Sequence, residues 1–174
     1  MFRWKFELHL PFFTIGTDYV ELRKRRKNEP PERFALVSRR CGLALDSDGS
    51  VISGQRPALR HPTGQRSQLW FTKPSNVHGE VLIISAGNGL ALDTTEHADD
   101  QHIYVFTPHG EAWQRWRLEP APTGFAYLLR SAHSGRCLSA GSQSKAGWRP
   151  WFEARRPDRQ AQQWVLAEPP TEPA

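Results

Sequence analysis

Cysteine is nearly absent from this chain, with two in 174 residues, Cys41 and Cys137. Two thiols make a poor staple for a secreted domain, and neither stands in the Cys/His spacing of a zinc site. Long apolar runs are missing too. No window of about 18 apolar residues exists, which excludes a membrane-spanning helix. The opening MFRWKFELHL alternates apolar and charged residues. It has neither the continuous apolar core nor the small-residue cleavage site of a signal peptide. No Gly-x-Ser-x-Gly elbow and no phosphate-binding glycine loop occurs. The seven histidines, among them His61, His97, His102 and His133, fall mostly in expected turns beside Gly, Pro or Asp. No catalytic residue, metal site or cofactor is therefore expected. The expected compartment is the cytoplasm, with export by another route left open.

Proline, glycine and tryptophan are plentiful at 14, 13 and 7 residues, which suits short strands and many turns rather than long helices. The net charge of +5 is uneven. Residues 1–33 carry 8 basic and 5 acidic side chains, giving +3, and the remaining 141 carry 15 and 13, giving +2. A nearly neutral main body argues against nucleic acid as a partner across it.

The chain is organised around Val81–Leu118, VLIISAGNGLALDTTEHADDQHIYVFTPHGEAWQRWRL. An apolar strand turns at Gly87-Asn88-Gly89 into Leu90-Ala91-Leu92-Asp93. A second strand follows at Ile103–Phe106, and Gln114-Arg115-Trp116 closes the unit. The same plan precedes it, as CGLALDSDG from Cys41 and then Gln68-Leu69-Trp70. It also follows it, as SGRCLSAGS from Ser134 and then Gln162-Gln163-Trp164. The glutamines are separated by 114 − 68 = 46 and 162 − 114 = 48 residues, a repeat architecture of three units. Each unit should give about four short strands. Trp70, Trp116 and Trp164 are expected to fill a shared core, and Gln68, Gln114 and Gln162 to tie neighbouring turns through their amides.

Flanking segments have their own character. Residues 1–22 hold a period-two strand, with Phe2, Trp4, Phe6, Leu8 and Leu10 on one face. This extension is too short to bury that face alone, so it is expected to pack on the repeats, on another protein or on an upstream domain. Residues 23–33, with the run Arg23-Lys24-Arg25-Arg26-Lys27 and then two prolines, read as a solvated linker. The repeats occupy 34–168, and the proline-rich 169–174 read as a disordered tail.

Three units of this length, each with a GxxLD-like turn and a closing Gln-x-Trp, resemble the ricin-B-type lectins. That resemblance implies an all-β fold, a β-trefoil with pseudo-threefold symmetry, here with the N-terminal β extension added. It also implies a sugar ligand and one potential pocket per unit. In such pockets an aspartate after the first turn accepts sugar hydroxyls, an aromatic on the later strand stacks on the sugar face, and a polar residue before the glutamine completes the site.

By that pattern the middle unit has the aspartate, Asp93, with Phe106 as the stacking aromatic eight residues before Gln114. Ile103 and Val105 alternate inward, so Tyr104 shares the outer face with Phe106. Trp113, where asparagine is common, offers a second stacking surface. The first unit has Asp46, which is also a plausible turn residue, and Arg60 at the stacking position. The third unit has Ser139 in place of the aspartate. Trp148, Trp151 and Phe152 lie on its later strand in an open register, and Glu153 is a candidate acid from another direction. The middle unit is expected to dominate sugar binding. Asp93 and Phe106 are expected at the surface, so that replacing them should leave the melting temperature nearly unchanged. Cys137 aligns with Ala44 and Ala91, and Cys41 with Asn88; at such non-equivalent positions no disulfide is expected. The alternative reading is a non-catalytic interaction scaffold that uses the N-terminal strands and the basic run.

Overall fold

A computed structural model describes residues 33–94 and 101–169. The expected strands of residues 1–22 and the basic run Arg23–Lys27 lie outside the described residues, as does the tail from residue 170. The described chain is all-β, with twelve strands and no α-helix. β1 (Phe34–Ser38), β2 (Ala44–Asp46), β3 (Ala58–Arg60) and β4 (Leu69–Pro74) form the first unit. The second is β5 (Val81–Ser85), β6 (Ala91–Asp93), β7 (Tyr104–Phe106) and β8 (Trp116–Pro120). The third is β9 (Tyr127–Ser131), β10 (Cys137–Ser139), β11 (Trp151–Glu153) and β12 (Trp164–Ala167).

Six of these strands close into a barrel. β1 pairs with β12 and β4, β5 with β4 and β8, and β9 with β8 and β12, all antiparallel. Closure leaves the barrel strands without open edges. The other six form three hairpins, β2–β3, β6–β7 and β10–β11, which hang from β1, β5 and β9. This is a β-trefoil.

The register repeats from unit to unit. Trp70, Trp116 and Trp164 pair with Phe34, Val81 and Tyr127, the first residue of each unit's opening strand. All three indoles are fully buried. Each indole N–H donates to a hairpin carbonyl at 3.0 Å, to Leu45, Leu92 and Leu138 respectively. A buried indole needs such an acceptor, and a main-chain carbonyl supplies it whatever side chain stands there. Leu36, Leu45, Leu59, Ile83, Leu92, Ile103, Val105, Leu138 and Phe152 fill the space between, with Phe152 stacked on Trp116 at 5.6 Å.

The hairpins also join one another in a ring. Gly54 N–H donates to the Val105 carbonyl at 2.8 Å, and Val105 N–H to Gln55 at 2.9 Å. Phe152 N–H donates to Gln101 at 2.8 Å. Leu59 N–H donates to Trp148, and Gly147 N–H to Leu59, both at 2.7 Å. Leu59, Val105 and Phe152 are the middle residues of β3, β7 and β11, so each unit's loop pairs with the next unit's outer strand.

Cys41 and Cys137 are free thiols. Burial, with Glu119 nearby as a smaller cause, pushes the Cys137 thiol up to about 11. Native protein treated with iodoacetamide at about pH 8 should therefore be modified at half-buried Cys41 and spared at Cys137, which should react only in denaturant. Peptide mass mapping reads this directly. Trp116→Ala should cost about 3–5 kcal/mol in urea unfolding, through the cavity left beside Phe152.

Candidate functional site

Each unit's glutamine acts as a clamp. Single 3₁₀ turns at Arg66–Gln68, Ala112–Gln114 and Gln160–Gln162 aim the three amides under the hairpins. The Gln68 amide N–H group donates to Asp46 Oδ2 at 3.1 Å and to the His61 carbonyl at 3.0 Å, while its oxygen accepts Thr63 N–H at 2.8 Å. Gln114 repeats this with Asp93 Oδ2 at 2.9 Å, the Thr107 carbonyl at 3.1 Å and His109 N–H at 2.8 Å. Gln162 donates to the Ala154 carbonyl and accepts Arg156 N–H, both at 2.8 Å. Its acid is Glu153 Oε2, at 3.5 Å.

In the middle unit Asp93 lies opposite Tyr104, and Ala91 opposite Phe106. Ile103 and Val105 are fully buried and Tyr104 and Phe106 half-buried, the alternation a strand on a core requires. The two outer rings lie 6.1 Å apart. Phe106 is partly covered from the first unit, since a β-carbon at Gly54 would sit 3.4 Å from its ring. Asp93 is 1% exposed, which corrects the expectation of a surface carboxylate. Its commitment to Gln114 draws it beneath the hairpin. Half-exposed His109 reaches it from outside, with Nε2 3.5 Å from Oδ2. Sequence reasoning missed His109, although its place five residues before Gln114 puts it in the clamped loop. Trp113 is half-buried, with its ring 5.7 Å from His109 and 6.0 Å from His133.

The first unit is built differently. Asp46 accepts Asp48 N–H at 2.8 Å besides the Gln68 amide, so it serves both the turn and the clamp. Arg60 forks onto Asp48, Nη2 to Oδ1 at 2.7 Å, and this hydrogen bond and charge hold its guanidinium above its ordinary value. The register Ala44↔Arg60, Ala91↔Phe106 and Cys137↔Glu153 makes Arg60, Phe106 and Glu153 equivalent. The third unit thus has an acid where the middle one has its stacking ring. Trp151 is the counterpart of Tyr104, opposite Ser139. Ser139 is buried, and its hydroxyl accepts Gly141 N–H at 3.1 Å. Phe152 lies in the core and Trp148 is an exposed ring beside Trp151. Among the described residues no group of three or more His, Cys, Asp and Glu could hold a metal ion.

Three repeated clamps on a closed six-stranded barrel define the class. The sequence matches the ricin-type beta-trefoil lectin domain-like family over residues 66–150 and 112–172, and the chain belongs to that family. It is thereby placed among carbohydrate-binding modules in general. The fold is similar to that of ThreeFoil, a designed threefold-symmetric protein, with a TM-score of 0.72 and 24% identity over 78% of this chain and 98% of that one. The exo-β-1,3-galactanase 1,3Gal43A of Clostridium thermocellum matches with a TM-score of 0.73 and 23% identity, over 81% of this chain and 31% of that one. The C-half of the earthworm R-type lectin, solved in complex with GalNAc, matches with a TM-score of 0.60 and 18% identity, over 79% of this chain and 98% of that one. At these identities the likeness shows the fold alone. No curated protein matches the sequence.

The clamp predicts a stability effect at Asp93. Asp93→Asn removes the buried negative charge that faces the Gln114 amide and His109, and should cost about 1–3 kcal/mol in urea unfolding. An unchanged midpoint would mean the carboxylate carries no structural role.

Proposed function

We propose that this chain is a non-catalytic lectin-like module that binds neutral sugars weakly through its middle unit. The observation that carries this is the placement of Phe106 and Tyr104 on the outer face of β7, beside the only unit whose clamp acid, Asp93, has an aromatic neighbour at the stacking position. A sugar ring would lay its apolar C–H face on Phe106. Its hydroxyls would turn toward Asp93 and the half-exposed His109, with Trp113 forming a further wall. The likeness to a lectin half solved with GalNAc supports a galactose-type ligand as the first to test. One shallow site of this kind should bind on the order of mM, about −4 kcal/mol.

Titration with N-acetylgalactosamine, galactose and mannose, followed by NMR, tests the reading. Phe106→Ala should abolish binding while leaving the unfolding midpoint within about 1 kcal/mol of wild type, because the ring is half-exposed. Binding that survives Phe106→Ala would place the site elsewhere. A second reading, a protein-interaction scaffold without a sugar pocket, is favoured by the burial of both Asp46 and Asp93 in their clamps. A glycan array separates the two, since a scaffold gives no signal that free sugar inhibits.

A further inference from the structure

The third unit departs from the other two in charge as well as in loop length. Beside β11 lies a cleft of about 380 Å³, walled by Trp151, Gln101, Glu153, Arg136, Arg156 and Arg159. That volume is within the range of small-molecule sites. Three arginines line it against one acidic residue, Glu153, whose carboxylate is already engaged. Glu153 takes Arg159 Nη1 at 3.0 Å, the Trp151 indole N–H at 3.2 Å and, more distantly, the Gln162 amide at 3.5 Å.

Arg136 is the more telling residue. Its carbonyl accepts Ser131 N–H at 2.9 Å, as those of Leu43 and Leu90 accept Ser38 and Ser85 N–H in the other units. It therefore replaces a buried leucine at an equivalent place in the trefoil. Its Nη1 is buried and has no hydrogen-bond partner. Neither Arg136 nor Arg156 forms an ion pair among the described residues. A guanidinium placed where the fold provides for an apolar side chain, with an unanswered N–H, lacks an acceptor that an anion would supply. Trp151 completes the wall. Its ring lies over Gly141, where a β-carbon would collide with it, and Trp148 packs beside it at 6.3 Å.

We propose that this cleft binds acidic saccharides, with the carboxylate or sulfate ester of the sugar held by Arg136 and Arg156 and the ring set against Trp151. The saccharide half of the assignment rests on the family's carbohydrate-binding character. The anionic half rests on the arginines, and neither half uses Asp93 or Phe106 of the middle unit. Ser139, buried and without charge, offers no hydroxyl-accepting carboxylate here, so the site selects for the acid group rather than for a pattern of neutral hydroxyls.

Matched probes decide the matter: glucuronic acid against glucose, N-acetylglucosamine 6-sulfate against N-acetylglucosamine, and inorganic sulfate alone. Each is titrated into the full chain while the Trp151 indole N–H resonance is followed, assigned through Trp151→Phe. At least one acidic sugar should shift that resonance and bind about tenfold or more tightly than its neutral partner, and whichever acid binds better identifies carboxylate or sulfate ester. The double variant Arg136→Gln/Arg156→Gln, with an unchanged circular dichroism spectrum, should weaken that binding about tenfold or more. Phe106→Ala should leave it intact, which separates failure here from failure of the middle-unit site. The proposal is overturned by no response to either acid, by equal affinity for the neutral partners, or by affinity for inorganic sulfate as high as for the sugars. Binding that persists in the double variant, or disappears in Phe106→Ala, overturns it too.

Discussion

The glutamine amide is the part on which both the core and the site depend. A primary amide offers two N–H donors and a carbonyl oxygen, and one buried under a hairpin must find partners for them. In each unit it finds a main-chain carbonyl and a main-chain N–H in the loop after the outer strand, and a carboxylate on the hairpin. The tryptophan two residues on then enters the barrel with its own N–H satisfied by the hairpin's inner strand. Glutamine and tryptophan together fasten the hairpin at two points, one at its outer rim and one at its root. The acid that a ligand would address is therefore also a structural member. Any sugar that takes hydroxyl contacts from Asp93 must share it with Gln114 and His109.

That dual role explains which features were legible in the sequence. Trp70, Trp116 and Trp164 announced the fold because burial at equivalent places of a threefold barrel forces a nearly constant spacing. The inward positions of Ile103 and Val105 followed from strand alternation alone. The depth of Asp93 did not, because an aspartate after a turn has the same local sequence whether it faces water or an amide 21 residues away. The partner of Arg60 stayed hidden for the same reason, Asp48 lying across a hairpin whose register the sequence does not state.

The third unit was obscured by one residue. Arg60 and Phe106 stand 68 − 60 = 8 and 114 − 106 = 8 residues before their glutamines, whereas Glu153 stands 162 − 153 = 9 before Gln162. The extra residue in the loop moves the aromatic counterpart to Trp151 and brings an acid to the stacking position. Glu153 can then reach the amide from β11, compensating for the missing carboxylate at Ser139. The clamp survives because it needs an acceptor near the amide, and tolerates a change in which strand supplies it.

The surface positions are free to differ because the core makes few demands on them. The indole N–H bonds and the hairpin ring use main-chain carbonyls and N–H groups, which every residue brings. What stands opposite Ala44 and Ala91 takes no part in the clamps, so Arg60 and Phe106 can carry charge or aromatic surface, whereas Glu153 opposite Cys137 also serves the third clamp. The same holds at the edge of the core, where Leu43 and Leu90 are matched by Arg136. A guanidinium there lines the cleft beside Trp151 while its Nη1 stays buried and without a hydrogen-bond partner. Charge in this trefoil is thus sorted by unit: an exposed Arg–Asp pair in the first, a carboxylate among aromatic and imidazole rings in the second, and an excess of arginine in the third. Three units on one barrel thus carry three different sets of outer side chains without any change in the interactions that hold the barrel closed.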